Sequence, residues 1–409
     1  MPLTFQSARL SNGLTILAEI DPDAATCAGG FFVRTGARDE PSPLMGVSHF
    51  LEHMMFKGNA RLNAEALNRA FDEIGAKNNA YTSHEITCFY AATLPEHTPR
   101  SIELLGALLR PELRPEDFNT EKGVILEEIA MYKDNPFWVL YEAVLERRYD
   151  GHPMGHRVLG TTQTITALER DQMRDYFENR YSADNTTVAL AGRVDFDAAC
   201  RQIESICASW RTTRPAGRTT PPPPPKASIT LTDSKVSRGY LLGMSAAPAA
   251  TDDRRYAAAL LSQVLGAPDN SRLHWALVDS GIAEDAQCGY DGHDGAGDYY
   301  VFASADPDRL DEIRTIIERE LAALVDSITV DDLERLRNKI RTGATVGGER
   351  PSDRMQRLGR HWMSHGRYSP LEDELARIDA VTLDQVREVA TAFPIALTTV
   401  GTLTPGAAN

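Results

Sequence analysis

Hydrophobic and polar positions alternate with different periods along this chain, and each change of period predicts an element. Residues 12–20 (NGLTILAEI) and 27–36 (CAGGFFVRTG) are apolar runs that read as strands, with Asn12-Gly13 suited to a hairpin turn. Residues 46–56 and the stretch from Asn63 (NAEALNRAFDEI) carry apolar residues at helical spacing, and Gly75 closes the second. From Asn79, NAYTSHEITCFYAATL alternates and is rich in β-formers, so it reads as a strand region. PEHTPRSIELLGALL and PEDFNTEKGVILEEIAMYK each open on proline beside acidic residues, a helix-start pattern. Strands grouped before helices predict an α+β unit, a sheet with helices packed on one face.

The pattern then repeats. ITALERDQMRDYF begins at Ile165 and IDAVTLDQVREVA at Ile378; Ile165/Ile378, Ala167/Ala380, Asp171/Asp384, Gln172/Gln385 and Arg174/Arg387 match at one offset of 213 residues. Each segment reads as an amphipathic helix followed by an apolar strand, NTTVALAGRV or ALTTVGTL. A duplicated α/β unit is the simplest account. Between the halves runs RTTRPAGRTTPPPPPK, residues 211–226, whose five consecutive prolines favour an extended spacer. The expected division is a domain over 1–210, a linker over 211–226 and a second domain over 227–409.

At 409 residues the chain exceeds a single core, which agrees with two domains. Its net charge of −15 argues against nucleic acid or an anionic membrane as partner. No apolar run approaches a membrane span, and the start shows no basic stretch leading into an apolar core. A cytoplasmic location is the expectation. The five cysteines are scattered, with no CxxC pair, and fit reduced thiols better than disulfides.

Residues 46–58 read GVSHFLEHMMFKG and place His49, Glu52 and His53 in an otherwise apolar helix. Positions i and i+4 share a helix face, so both imidazoles can point at one atom with Glu52 beside it. Neutral imidazole is a good zinc ligand, and burial of the flanking apolar residues argues against a pair of surface histidines. Two histidines require a third ligand from elsewhere, which leaves a fourth position for water and makes Glu52 a candidate base. This order, H-x-x-E-H, is the inverse of the commoner H-E-x-x-H.

HFLEHMMFKG resembles the zinc-binding helix of the M16 (pitrilysin/insulinase) metallopeptidases, which include the mitochondrial processing peptidase. NGLTILAE, NAYTSHEITCFY from Asn79, EKGVILEEIAMYKDNP from Glu121 and RMQRLGRHWMSHGRYSPLEDELARIDAVTLDQV are also similar to family stretches. The resemblance implies two homologous α/β-sandwich domains, half of a clamshell, and a zinc metalloendopeptidase. It implies one Zn2+ per chain on His49, His53 and Glu128, with Glu52 catalytic. Glu121, seven residues before Glu128, takes a supporting role; Glu127, a quarter-turn round, reads as solvated. The strand at Asn79, Ala80 and Tyr81 is implied to pair with an extended peptide. Propeptides, leader peptides or presequences are the implied substrates.

The family usually carries an Arg and a Tyr, seven apart, in the second half of the substrate-facing subunit. Here NSRLHWALVDSGIAEDAQCGY, from Asn270, places Leu277, Val278 and Asp279 where the Arg is expected, and Glu284 and Asp285 where the Tyr is expected. Arg272 aligns with a different Arg, and Tyr290 lies too far along. The inference is a heterodimer with a related subunit that supplies the pair, a homodimer being the alternative. A non-catalytic assembly subunit is the rival reading. Of the remaining candidates, His361 and His365 lack an acidic third ligand and read as structural or surface histidines. His152 and His156 read as structural, and DGHDGAGD from Asp291 reads as a hairpin turn.

Overall fold

The computed structural model describes residues 3–406. By packing, these residues form two compact units that interleave along the chain. The first unit takes residues up to Ile129, then His156–Arg218 and Thr345–Tyr368; the second takes Ala130–Gly155, Thr219–Ala344 and the remainder. The expected linker, 211–226, contains one of these crossings, at Arg218/Thr219.

The first unit is built on a six-stranded sheet: β1 (Thr4–Arg9), β2 (Thr15–Ile20), β3 (Cys27–Val33), β4 (Lys77–Thr82), β5 (Thr87–Thr93) and β6 (Thr186–Gly192). Their order is β1-β2-β6-β3-β5-β4, with β2/β6 parallel and the other pairs antiparallel. β1 and β2 form the hairpin expected at Asn12-Gly13, and Gly13 takes the positive φ of +95° that its turn needs. The second unit repeats the plan with β7 (Ala227–Asp233), β8 (Gly239–Ala246), β9 (Asp285–His293), β10 (Ala296–Ala305) and β11 (Thr399–Pro405), ordered β7-β11-β8-β10-β9. β7 and β11 are again the parallel pair.

The repeat extends to element boundaries. The helices Arg170–Arg180 and Leu383–Ala392 start 213 residues apart, as do β6 and β11. Both helices open on a capping box, Glu169 with Gln172 in one and Thr382 with Gln385 in the other.

The expectation of helices on one face fails. β3 is buried along its whole length, so both its faces need cover. Phe31 and Val33 join the large core under the helices Val47–Met55, Thr98–Leu108 and Phe196–Cys207. Ala28 and Phe32 point the other way, onto Met355 and Leu358 of the helix Pro351–His365. A side chain at Gly359 would put its Cβ 2.2 Å from the Phe32 ring, so the helix can lie this close only because that position is glycine. The second sheet is treated alike: the helix Pro136–Tyr149 buries Leu140, Val144 and Tyr149 against Leu242, Met244 and Phe302. Each sheet thus takes one covering helix from the other half of the sequence.

Candidate metal centre

The helix Val47–Met55 starts at Gly46, whose φ of +94° and whose backbone neighbours leave no room for a side chain. Its free N–H groups are met by Glu40, which accepts from Gly46 N and Ser48 N, each at 2.7 Å. Burial pushes Glu40 up to about 8, against the pull of those two backbone donors. Val47, Phe50, Leu51, Met54 and Met55 anchor the helix in the core. Phe50 stacks on Phe118 at 4.9 Å, which joins this helix to Pro115–Tyr132. The apolar face therefore fixes the polar one.

On that polar side, His49, His53 and Glu128 converge, with one ligand atom from each within 4.8 Å of the others. Glu128 Oε2 lies 3.8 Å from His49 Nε2 and 3.6 Å from His53 Nε2. These gaps are too long for hydrogen bonds. A zinc ion with ligands at about 2.0–2.2 Å in tetrahedral geometry holds them about 3.3–3.6 Å apart. Glu128 thus already stands near that spacing, and the set, spread over up to 4.8 Å, must draw together to hold one ion. Among the described residues this is the single group able to hold a metal. Glu128, where the resemblance places the third ligand, stands on the later helix Pro115–Tyr132 beside both imidazoles. Glu127 is exposed.

The surrounding groups set orientation and charge. Burial, aided by His53, pushes His49 down to about 3 and keeps it in the neutral form that ligates metals. His53 Nδ1 is 2.9 Å from Glu121 Oε1, which turns Nε2 towards Glu128. Burial pulls His53 down, but that hydrogen bond and the charges of Glu128, Glu121 and Glu52 outweigh it and raise it. Burial would likewise raise Glu121; His53 and Lys57, which pairs with its second oxygen, hold it below the usual carboxylate range. Glu128 is raised by burial, with His53 opposing. Glu52 is also raised by burial, against a 2.6 Å hydrogen bond from Thr82 Oγ1.

β4 is an edge strand, bonded to β5 alone among the described strands. Asn79 is exposed, and Ala80 packs on the core side. Tyr81 points to the opposite face, where its hydroxyl meets Gln356 at 3.0 Å and Arg360 at 2.9 Å. Ala80 N donates to Asn79 Oδ1 and not to β5, so by alternation the backbone of Ala80, and not that of Tyr81, faces the open edge. Lys57 and Thr82 were not identified from the sequence. Lys57 lies in the turn just past the helix Val47–Met55, while Thr82 had a signal, two past Ala80 on a strand.

Residues 15–162 match the family described as Insulinase (Peptidase family M16), and 167–340 match Peptidase M16 inactive domain. The chain belongs to peptidase family M16. An uncharacterized zinc protease of Streptomyces coelicolor is 31% identical to this M16 chain, over 95% of it and 86% of the relative. The uncharacterized zinc protease YmxG of Bacillus subtilis is 28% identical over 93% of each. In fold, the chain matches the crystal structure of a protease from Helicobacter pylori with a TM-score of 0.91 at 20% identity, covering 98% of this chain and 99% of that one. A peptidase M16 inactive domain from Pseudomonas fluorescens gives 0.89 at 17%, covering 100% and 99%. The two-unit architecture is thus that of M16 peptidases, and the chain is a metallopeptidase by family. No helix among the described residues is long and apolar enough to cross a membrane.

The other sequence candidates have structural partners. His361 and His365 stack at 4.1 Å, and each Nδ1 faces a backbone carbonyl. His156 is buried between Ala37 O and Ser42 Oγ. The DGHDGAGD segment joins β9 to β10, with Gly295 at φ +73°.

Proposed function

We propose that the chain is a zinc endopeptidase subunit that cleaves short or unfolded peptides, with the metal on His49, His53 and Glu128. The convergence of these three side chains from two helices joined through Phe50 and Phe118 carries the reading. Zinc bound there supplies Lewis acidity, acidifying water and polarising a peptide carbonyl. Glu121 holds His53 by its Nδ1, leaving Nε2 free to bind. Glu52 takes a proton from the attacking water and passes it to the leaving amine nitrogen. The peptide lies extended along the open edge of β4 at Asn79–Tyr81, its backbone pairing with the strand.

The proposed assembly is a heterodimer. Arg272 is held by Asp332 at 2.7 Å and by the Ser327 carbonyl, and Tyr290 by the Pro248 carbonyl. Both are thus engaged within their own unit, which supports an Arg/Tyr pair supplied by a related partner to steady the developing oxyanion. Propeptide, leader-peptide or presequence processing in the cytoplasm is the proposed setting.

The test is metal analysis with peptide-pool cleavage read by mass spectrometry, on the chain with partners co-purified from its own host. The expected result is about one zinc per chain, lost in His49→Ala. Glu52→Gln keeps the metal and abolishes cleavage. A metal-free wild type, or turnover by Glu52→Gln, would overturn the reading.

A further inference from the structure

Glu52 takes no hydrogen bond among the described residues other than the one from Thr82, and that contact is short, Oγ1 to Oε2 at 2.6 Å. Thr82 is the last residue of β4, the strand with the open edge. Strand alternation puts Tyr81 on the face covered by the 351–365 helix and turns Thr82 towards the 47–55 helix.

The position of Thr82 is itself fixed. The next residue starts a tight turn in which Ser83 N donates to Ile86 O at 2.8 Å and Ile86 N donates to Ser83 Oγ at 3.1 Å. That turn is tied to residues 36–38: Ala37 N donates to Ser83 O, Arg38 N to His84 O, and Arg38 pairs with Glu85 at 2.6 Å. Gly36 lies so close that a Cβ there would sit 2.3 Å from Ser83 O. The same segment leads into Glu40, which caps the helix carrying Glu52. Strand end and helix start are thereby held in one frame.

We propose that the Thr82 hydroxyl is the positioning group for the proton-transferring carboxylate. It occupies Glu52 Oε2 and leaves Oε1 as the oxygen that takes and returns the proton. This rests on the reading of Glu52 as the base. A base acts through geometry first, and a misdirected carboxylate loses rate without losing substrate affinity. Because Thr82 ends the strand proposed to seat the peptide, the scissile bond and the base are aligned by one rigid piece of backbone. Thr82 is a positioning residue; it bonds to the base and not to the reacting atoms.

Two measurements test this. In zinc-loaded crystals of the chain, Thr82→Val is expected to keep the metal but leave the Glu52 carboxylate in more than one orientation, whereas Thr82→Ser keeps one. In the assembly that cleaves a pool of unstructured quenched-fluorescent peptides, Thr82→Val should lower kcat about tenfold or more with KM within about twofold, and Thr82→Ser should recover most of the loss. A single Glu52 orientation in Thr82→Val, or cleavage at the wild-type kcat, overturns the proposal. So does a rise in KM with kcat unchanged, which would assign Thr82 to peptide seating. Thr82→Ser failing as badly as Thr82→Val would assign the loss to packing. Cleavage by Glu52→Gln is a separate outcome: it would remove Glu52 as base before Thr82 is changed.

Discussion

Glu40 is a carboxyl group in an environment at odds with its charge, 3% exposed against the start of the proposed metal-binding helix. Its folded pKa near 8 exceeds the ordinary 4.5, so between those values folding takes up a proton. Stability from this group is complete below about 4.5 and falls as pH rises towards 8. Glu40→Gln removes the titration while keeping the shape. In metal-free protein, the melting temperature of Glu40→Gln relative to wild type should therefore climb between pH 5 and 8 and be level outside that window. A difference that stays constant across the window would refute the assignment.

Among the elements, the covering helix Pro351–His365 lies tight on its sheet, Gly359 against Phe32 and Met355 against Gly30. Gly359→Ala must push the helix outward or displace the ring, and is expected to cost about 1–3 kcal/mol in denaturant unfolding with zinc binding unchanged. The origin of this helix also explains what the sequence did and did not reveal. Periodicity marked the β1/β2 turn, the helix bearing His49 and His53, and the repeat at 213 residues, because each is a local pattern or a direct match. A helix that covers a sheet some 300 residues earlier leaves no local trace; only the fully apolar β3 hinted that a second cover was needed. The candidate site divides in the same way. His49, Glu52 and His53 share one helix and stand out by spacing. Glu128 and Glu121 follow only from the resemblance of their segment, whereas Thr82 and Lys57 act through contacts made only on folding.

For the whole molecule, an ion shared by two helices couples its occupancy to the folded state, since the unfolded chain has no such cluster. At free zinc one hundred times Kd, the folded state should gain about 2.7 kcal/mol. Calorimetry with and without chelator should thus show a rise in Tm on zinc addition for wild type and for Glu52→Gln, but none for His49→Ala. An equal rise in His49→Ala would place the ion elsewhere.

The traded helices bear on how the chain is made. Emerging from the ribosome, the first sheet has all six strands by Gly192, yet Phe32 and Ala28 stay bare until residues 351–365 have been synthesised. The amino-terminal unit is begun first and finished almost last. A growing chain stalled at the proline run would display an apolar face for chaperones to shield.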